Sequence, residues 1–214
     1  MTQMVRVHNF MVSSDGFGAG EGQSLETPFG HADPGVLFRW AFSTASWPNR
    51  TEPGGSRGLE DYLVRDFHRN IGAEIMGRNK FSPLRGPWAD EEWKGWWGDE
   101  PPFHTPVFVM THHERPSYSL SDTTFHFVDG SPSSVLEMAL KAADGKDVRL
   151  GGGADTIRQF LDAGLVDTLH VAVGPDELGA GSRLWDSPDD LLDRYHRDVV
   201  PGSYGVVHHL FWRD

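Results

Sequence analysis

The chain has 214 residues, 38% hydrophobic and 23% charged, with a formal net charge of −12 and no cysteine. Such a length can bury the core of one large domain. The acidic balance speaks against a sequence-independent nucleic-acid binder, which needs a basic face, but it permits an anionic ligand in a locally positive site. Without cysteine, disulfides, zinc–thiolate centres and thiol catalysis are excluded.

Met4 to Val12 is rich in bulky and β-branched residues and reads as a buried first strand. The opening MTQMVRVHNF has no apolar run long enough for a secretory signal or a membrane span, so a cytoplasmic protein with no membrane partner is expected. Ser13 to Gly30 is glycine-rich and aperiodic, long enough to be a functional lid. Asp33-Pro34 predicts a helix start, with Asp as N-cap and Pro at the first helical position; Val36, Leu37, Trp40 and Ala41 give the apolar face. Asn49 to Ser56 is a polar break. Leu59, Leu63, Phe67 and Ile71 fall four apart and predict a second amphipathic helix, closed by Gly72 as a left-handed C′ residue.

Ala73 to Met76 reads as a short strand, and Phe81 to Thr105 as an irregular stretch holding four of the eight tryptophans. Pro106 to Met110 and Thr124 to Val128 read as strands. Ser131-Pro132 starts a helix ending at Gly145. Val148 to Leu150 is a strand, and Gly151 to Gly153 open a helix that ends near Gly164. Thr168 to Val173 is a strand, and Arg194 to Trp212 a hairpin around Pro201-Gly202. The alternation implies an α/β chain with a mostly parallel central sheet flanked by helices and an antiparallel C-terminal hairpin. No repeat, linker or second domain is visible, so one domain over residues 1–214 is expected.

Three loops share one topological place, each after the carboxyl end of a strand: Gly77 to Lys80, Thr111 to His113, and Gly151 to Asp155. Ligands of open α/β sheets bind there. Gly151, Gly152 and Gly153, leading into Ala154, Asp155 and Thr156, would let a pyrophosphate approach a helix N-terminus with free N–H groups. Arg78 and Lys80, beside Asn79, offer charge to phosphate oxygens, and Thr111, His112 and His113 offer donors to a ribose 2′-phosphate. The plain alternative is that the glycines are tight turns and Arg78 a solvated surface charge. G-x-G-x-x-G and G-x-x-x-x-G-K-[ST] are both absent, which argues against a standard Rossmann enzyme or P-loop NTPase.

Five segments in order carry a resemblance: Ser13-Ser14-Asp15-Gly16 after the first strand; Ile75-Met76-Gly77-Arg78-Asn79; Phe108 to His113; Leu150 to Gly153 followed by Ile157 to Leu161; and Val166-Asp167 through Pro175, Leu178-Gly179-Ala180-Gly181 and Leu184-Trp185. With these, the chain resembles the dihydrofolate-reductase-like family, in the branch related to the C-terminal reductase domain of bacterial riboflavin biosynthesis. The resemblance implies that fold, NADPH as hydride donor, and nicotinamide entry near Met11, Val12, Gly18 and Gly20. It also implies a homodimer and a cis Gly151-Gly152 peptide. Dihydrofolate reductases carry a carboxylate inside the first helix, whereas Gly35 to Trp47 holds none here and Arg39 is its only charged residue. Folate is therefore a poor substrate expectation, although hydride transfer itself needs mainly alignment and exclusion of water.

Several residues have two readings. Asp15 is a turn former or a group that reaches substrate, and Asp33 an N-cap or the missing carboxylate. Arg39, Trp40 and His170 are the substrate-side candidates; His170 lies mid-strand, facing core or ligand. Trp88, Trp93, Trp96 and Trp97 form a stacking flap, or else a satellite core or dimer contact. Eleven histidines invite a metal, but the pairs His112-His113 and His208-His209 would face opposite ways on a strand and no H-E-x-x-H is present, so no metal is expected. The expected function is an NADPH-dependent reductase of a small heterocyclic, ribosylamino-pyrimidine-like or pterin-like molecule. A non-catalytic NADPH-binding or sensor protein is the alternative, and a different α/β enzyme with coincidental glycine loops a third.

Overall fold

The structure, a computed structural model, describes residues 2–48, 50–88 and 92–214. Met1, Asn49 at the start of the polar break and residues 89–91 of the aromatic segment lie outside them. In chain order the elements are β1 (Val5–Val12), β2 (Phe17–Ala19), α1 (Pro34–Leu37), α2 (Arg39–Phe42), α3 (Leu59–Arg65), β3 (Ile71–Gly77), α4 (Arg78–Phe81), β4 (Pro106–Met110), β5 (Tyr118–Leu120), β6 (Thr123–Val128), α5 (Pro132–Ala142), β7 (Asp147–Leu150), α6 (Ala154–Asp162), β8 (Thr168–Val173), β9 (Ser182–Arg183), β10 (His196–Pro201) and β11 (Val207–Trp212). The chain divides into two compact units: Met1–Arg6, Ser24–Pro28 and Asn70–Asp167 in the first; Val7–Gln23, Phe29–Arg69 and Thr168–Asp214 in the second.

The first unit is built on parallel strands. The start of β1 pairs with β7, β7 with β3, β3 with β4, and β4 with β6, all parallel; β5 closes the edge antiparallel to β6. Every residue of β3 and β7 is buried, as a strand covered on both faces requires. Helix α5 starts at Ser131, whose hydroxyl accepts the Ser134 N–H, with Pro132 at the first turn; Val135, Leu136 and Ala139 are its buried residues. On α6 the buried positions Ala154, Ile157, Phe160 and Leu161 fall three and four apart, one stripe of a helix.

The second unit holds the C-terminal hairpin. β10 pairs antiparallel with β11 over His196↔Trp212 to Pro201↔Val207, and β11 with β8 over Trp212↔Thr168 to Val207↔Val173. β8 adjoins β1, where the Gly174 N–H donates to Val12. The mixed, mostly parallel sheet and its antiparallel C-terminal hairpin are those expected from the sequence.

Two expectations are corrected. The amphipathic row of four does not run on to Ile71: α3 ends at Arg65, a 3₁₀ turn covers Asp66–His68, and Ile71 begins β3. Asn70, at φ 59°, takes the left-handed turn assigned to Gly72. Gly72 lies in the strand, where a Cβ would fall 2.3 Å from the Ala143 carbonyl oxygen, so glycine serves close packing there. The aperiodic stretch after β1 is also not wholly loop, because β2 lies within it, paired to β9.

Candidate functional site

In the first unit, three parallel strands deliver three loops to one sheet edge. The registers Ile75↔Leu150 and Gly77↔Met110 place the ends of β7, β3 and β4 side by side. The turn after β7 runs one residue further than expected. Gly151 N–H still donates to Ile75 and Gly77 N–H donates to Gly152 at 2.7 Å, so the chain leaves the sheet only after Gly152. The cis peptide is accordingly Gly152-Gly153, not Gly151-Gly152. A Cβ on Gly77 would fall 2.1 Å from Thr156 Oγ1, and one on Gly151 2.2 Å from Glu74 Oε1 and 2.5 Å from Lys80 Nζ. One on Gly153 would meet nothing within 4 Å. Gly77 and Gly151 thus let the loops close on one another, while Gly153 faces open space at the start of α6. No side chain caps that helix, which leaves the N–H groups of Ala154, Asp155 and Thr156 at a positive helix end. The exposed Asp155 carboxylate there is paired with Arg158 at 2.7 Å.

The charged groups divide by partner. Lys80 Nζ lies 3.0 Å from Glu74, whose carboxylate also takes Arg149 Nε at 2.7 Å. Burial alone would raise the Glu74 pKa; the charges of Arg149 and Lys80 outweigh it and hold the carboxylate below its ordinary range. Lys80 is therefore already paired. Arg78 is different: its Nε and Nη2 are buried and have no hydrogen-bond partner, and the Asn79 Oδ1 beside them is likewise unpartnered. Nε and Nη2 share one edge of the guanidinium, the fork that grips two oxygens of an anion. Burial and the neighbouring charges of Arg85 and Arg115 depress the Arg78 pKa. Its Cζ lies 3.9 Å from the centre of the Trp88 ring.

In the third loop, Thr111 is buried and its Oγ1 accepts the His113 N–H. The His113 carbonyl accepts Trp88 Nε1 at 3.0 Å, which links this loop to the Arg78 loop. His112 turns to solvent, its Nδ1 2.9 Å from Asp129. The aromatic segment packs inward: Trp88, Trp93 and Trp97 lie against a core of Met76, Phe81, Phe103, Val107, Val109 and Phe125, and the Trp96 indole donates to the Lys80 carbonyl.

The candidates of the second unit serve mainly its structure. Met11 and Trp40 share a core cluster with Ala41, Val64, Ala172 and Val206, and Val12 is fully buried. Gly18 and Gly20 lie so close to the rings of Phe10 and His31 that a Cβ would fall within 2.8 Å of each. Asp15 accepts from Ser13 Oγ and from the N–H groups of Leu178 (3.0 Å) and Gly179 (2.7 Å), joining the turn after β1 to the L-G-x-G turn. Burial acts to raise its pKa, but these bonds outweigh it, so the carboxyl stays ionised with no proton to donate near neutrality. Asp33 caps α1 through the Gly35 N–H at 2.7 Å. Arg39 is exposed and stacks on Tyr204. His170 is buried, with Nδ1 2.9 Å from Asn9 Oδ1 and Nε2 3.0 Å from His208 Nδ1; His208 Nε2 reaches Glu60 at 3.3 Å. Among the described residues no cluster of three or more metal-ligating side chains occurs and no helix is long and apolar enough to cross a membrane.

This arrangement suits a phosphorylated dinucleotide: an unpartnered guanidinium fork, a glycine turn open to space and an uncapped helix end at one sheet edge. Residues 7–194 match the RibD C-terminal domain. The chain belongs to that family. A relative within reach is the uncharacterized protein YyaP of Bacillus subtilis, 26% identical over 72% of this chain and 84% of its own. Two solved structures share the fold. A putative riboflavin biosynthesis protein from Shewanella sp. PV-4 has TM-score 0.55 at 20% identity, over 100% of this chain and 99% of its own. A pyrimidine reductase-like protein from Corynebacterium diphtheriae has TM-score 0.52 at 14% identity, over 100% and 93%. Within this RibD-type chain, sequence reasoning missed Arg115 and Glu74 as members of the site's charge pattern. The only signal was their residue type: a lone Glu inside the apolar strand I-G-A-E-I-M-G, and an Arg just after the T-H-H turn.

Proposed function

We propose that the protein is an NADPH-dependent reductase that passes hydride to a small heterocyclic, pyrimidine-like or pterin-like substrate. The carrying observation is the Arg78 fork, two buried donors without partners on the loop whose Gly77 N–H bonds to Gly152 of the glycine turn. A buried donor left unmade costs about 1–3 kcal/mol, so such a fork favours an anion. In this reading Arg78 holds the 2′-phosphate, with Thr111 and His113 near it, and the N–H groups of Ala154 to Thr156 hold the pyrophosphate. The cofactor, when bound, supplies the hydride; the chain supplies alignment and exclusion of water.

Titration calorimetry with NADPH and NADH tests the reading. NADPH is expected to bind at least tenfold tighter, since a charge-assisted hydrogen bond contributes about 1.5–3 kcal/mol; Arg78→Ala is expected to remove most of that preference. Equal binding of both, or of neither, refutes it. NADPH oxidation against dihydrofolate, pteridines, flavins and deaminated ribosylaminopyrimidines then sorts substrates. One observation favours the sensor alternative: α1 and α2 contain no carboxylate, and Asp33 is spent on capping. Tight NADPH binding without turnover of any class would support it. The homodimer, and action in the cytoplasm, belong to the same reading; sedimentation at micromolar concentration tests the dimer.

A further inference from the structure

We infer that Glu60, His208 and His170 form a proton store opening on a cavity of the second unit, from which Glu60 passes on the proton that accompanies hydride transfer. The store follows from hydrogen-bond geometry; the donor role rests on the reductase reading above. Hydride adds to the carbon of a C=N or C=O bond, and the nitrogen or oxygen must then take a proton to give CH–NH or CH–OH. Asp15 has no proton to give, and Asp33 is engaged in capping α1.

The contacts run from Asn9 to the cavity. The Asn9 side-chain amide donates to the Leu63 carbonyl at 3.0 Å, which turns its Oδ1 towards His170 Nδ1 at 2.9 Å. That oxygen only accepts, and it lies closer than the Asn9 backbone N–H at 3.3 Å, so His170 carries a proton on Nδ1. At the other end His208 Nε2 lies 3.3 Å from the Glu60 carboxylate and carries a proton there. Each neutral ring has one proton, and these two ends use both. His170 Nε2 and His208 Nδ1 then face each other at 3.0 Å with none between them. One further proton makes that contact a hydrogen bond, whereas a second would set two N–H groups head-on. The pair therefore takes up one shared proton where two separate histidines would take two. Burial, then His208, His8 on β1 and His209 on β11, disfavours charge on His170; burial also disfavours it on His208, against the pull of Glu60 on α3. The shared proton is thus held loosely, as a donor working near neutrality requires.

Glu60 is the exit. Its Oε1 also accepts the Ser203 N–H at 2.8 Å and its Oε2 the Ser203 hydroxyl at 2.7 Å, so Oε2 keeps a second lone pair for a ligand. With Ser56, Arg57, Asp61, Gly202 and Ser203 it lines a cavity of about 200 Å³. Gly202 covers the exit contact: a Cβ there would fall 2.5 Å from His208 Nε2 and 2.6 Å from Glu60 Oε1. The Gly202 N–H donates to Val206 at 2.8 Å, and Val206 packs with Met11 and Trp40, which the reductase reading sets beside nicotinamide and substrate. In transfer, Glu60 receives the His208 Nε2 proton and passes it to the substrate. The shared proton settles on His208 Nδ1, both rings end neutral, and solvent reloads the store through Glu60.

Two measurements on the whole chain test this. Long-range proton–nitrogen NMR of the isotope-labelled protein reads which ring nitrogens carry protons. As pH falls from about 8 to about 5, the His170 and His208 signals are expected to move together, at one midpoint below the ordinary imidazole value of about 6.5, and Glu60→Gln to lower that midpoint. Independent midpoints, or a His170 Nδ1 bare throughout, overturn the store and the inference with it. The second measurement follows NADPH oxidation with whichever substrate class turns over. The value of kcat should fall as pH rises through the NMR midpoint, and Glu60→Gln should lower it about 100-fold or more at unchanged NADPH affinity. Should that variant not fold, Gly202→Ala decides: it parts His208 from Glu60, keeps the carboxylate, and should lower kcat about tenfold or more. A kcat unmoved by pH or by the folded variant overturns the donor role and leaves the reductase reading standing. If no substrate class turns over, the reductase reading falls and takes the donor role with it, while the spectra still decide the shared proton.

Discussion

Glu74→Gln is the sharpest test of how the site is held. The carboxylate is fully buried on β3, 3.0 Å from Lys80 Nζ and 2.7 Å from Arg149 Nε, with Arg149 itself only 1% exposed. Glutamine keeps the shape and removes the charge between two cations. Removing one partner of a buried pair typically costs about 3–5 kcal/mol. At about 2–4 °C per kcal/mol for a chain of this size, the melting temperature should drop by roughly 6–20 °C. The loss should depend on pH. Burial and Arg149 already hold the Lys80 pKa below its ordinary value while Glu74 opposes them, so removing Glu74 lowers it further. The folded variant then sheds a proton that the unfolded chain keeps up to its lysine value of about 10.4. The unfolded state binds more protons, stability rises with pH, and the deficit should shrink from neutral towards alkaline pH. Glu74→Gln/Lys80→Met should regain part of the loss at neutral pH. Urea unfolding of the three proteins at two pH values measures all of this. A deficit below about 1 kcal/mol that is the same at both would refute the buried-triad account.

Two further outcomes follow from the geometry. Gly77→Ala places its Cβ 2.1 Å from Thr156 Oγ1 and should cost about 1–3 kcal/mol and weaken NADPH binding. Adding Thr156→Ala removes the hydroxyl and should restore much of both, and a double variant no better than the single would show that the turn is not held by this contact. The second concerns acid. Burial, with His208, His8 and His209, holds the His170 pKa well below its ordinary value, and burial lowers His208 against the opposing pull of Glu60. The unfolded state therefore binds more protons below about pH 6.5, and stability should fall as pH drops from there. Glu60, Asp61 and Asp15, all held below their ordinary values, add a loss only from about pH 4 downward. Urea midpoints across this range should show the histidine step, and His170→Asn should flatten it; an unchanged curve removes the buried pair as its cause.

Much was legible locally. β4 and β8 fall on the expected residues, and α5 starts at the expected Ser-Pro cap. Capping, proline geometry and alternating burial are all set by neighbours within about four residues in the chain. The three strand-end loops were legible for the same reason: a strand followed by glycine or a polar turn announces itself.

What the sequence alone did not determine is where side chains at those loops go, because that depends on register between distant strands. β7 beside β3 brings Arg149 against Glu74 and draws Lys80 into a buried triad, when its residue type suggested a phosphate contact. His112 turns to Asp129, and the expected lid contains β2 because β9, far along the chain, pairs with it. Arg78, by contrast, emerges with an unpartnered fork, stacked on Trp88 from a segment that sequence periodicity left without structure. Composition and local pattern determined the elements and the sheet edge at which the three loops gather; only tertiary pairing decided which cations are spent on ion pairs within the fold, since charges pair through space and not along the chain.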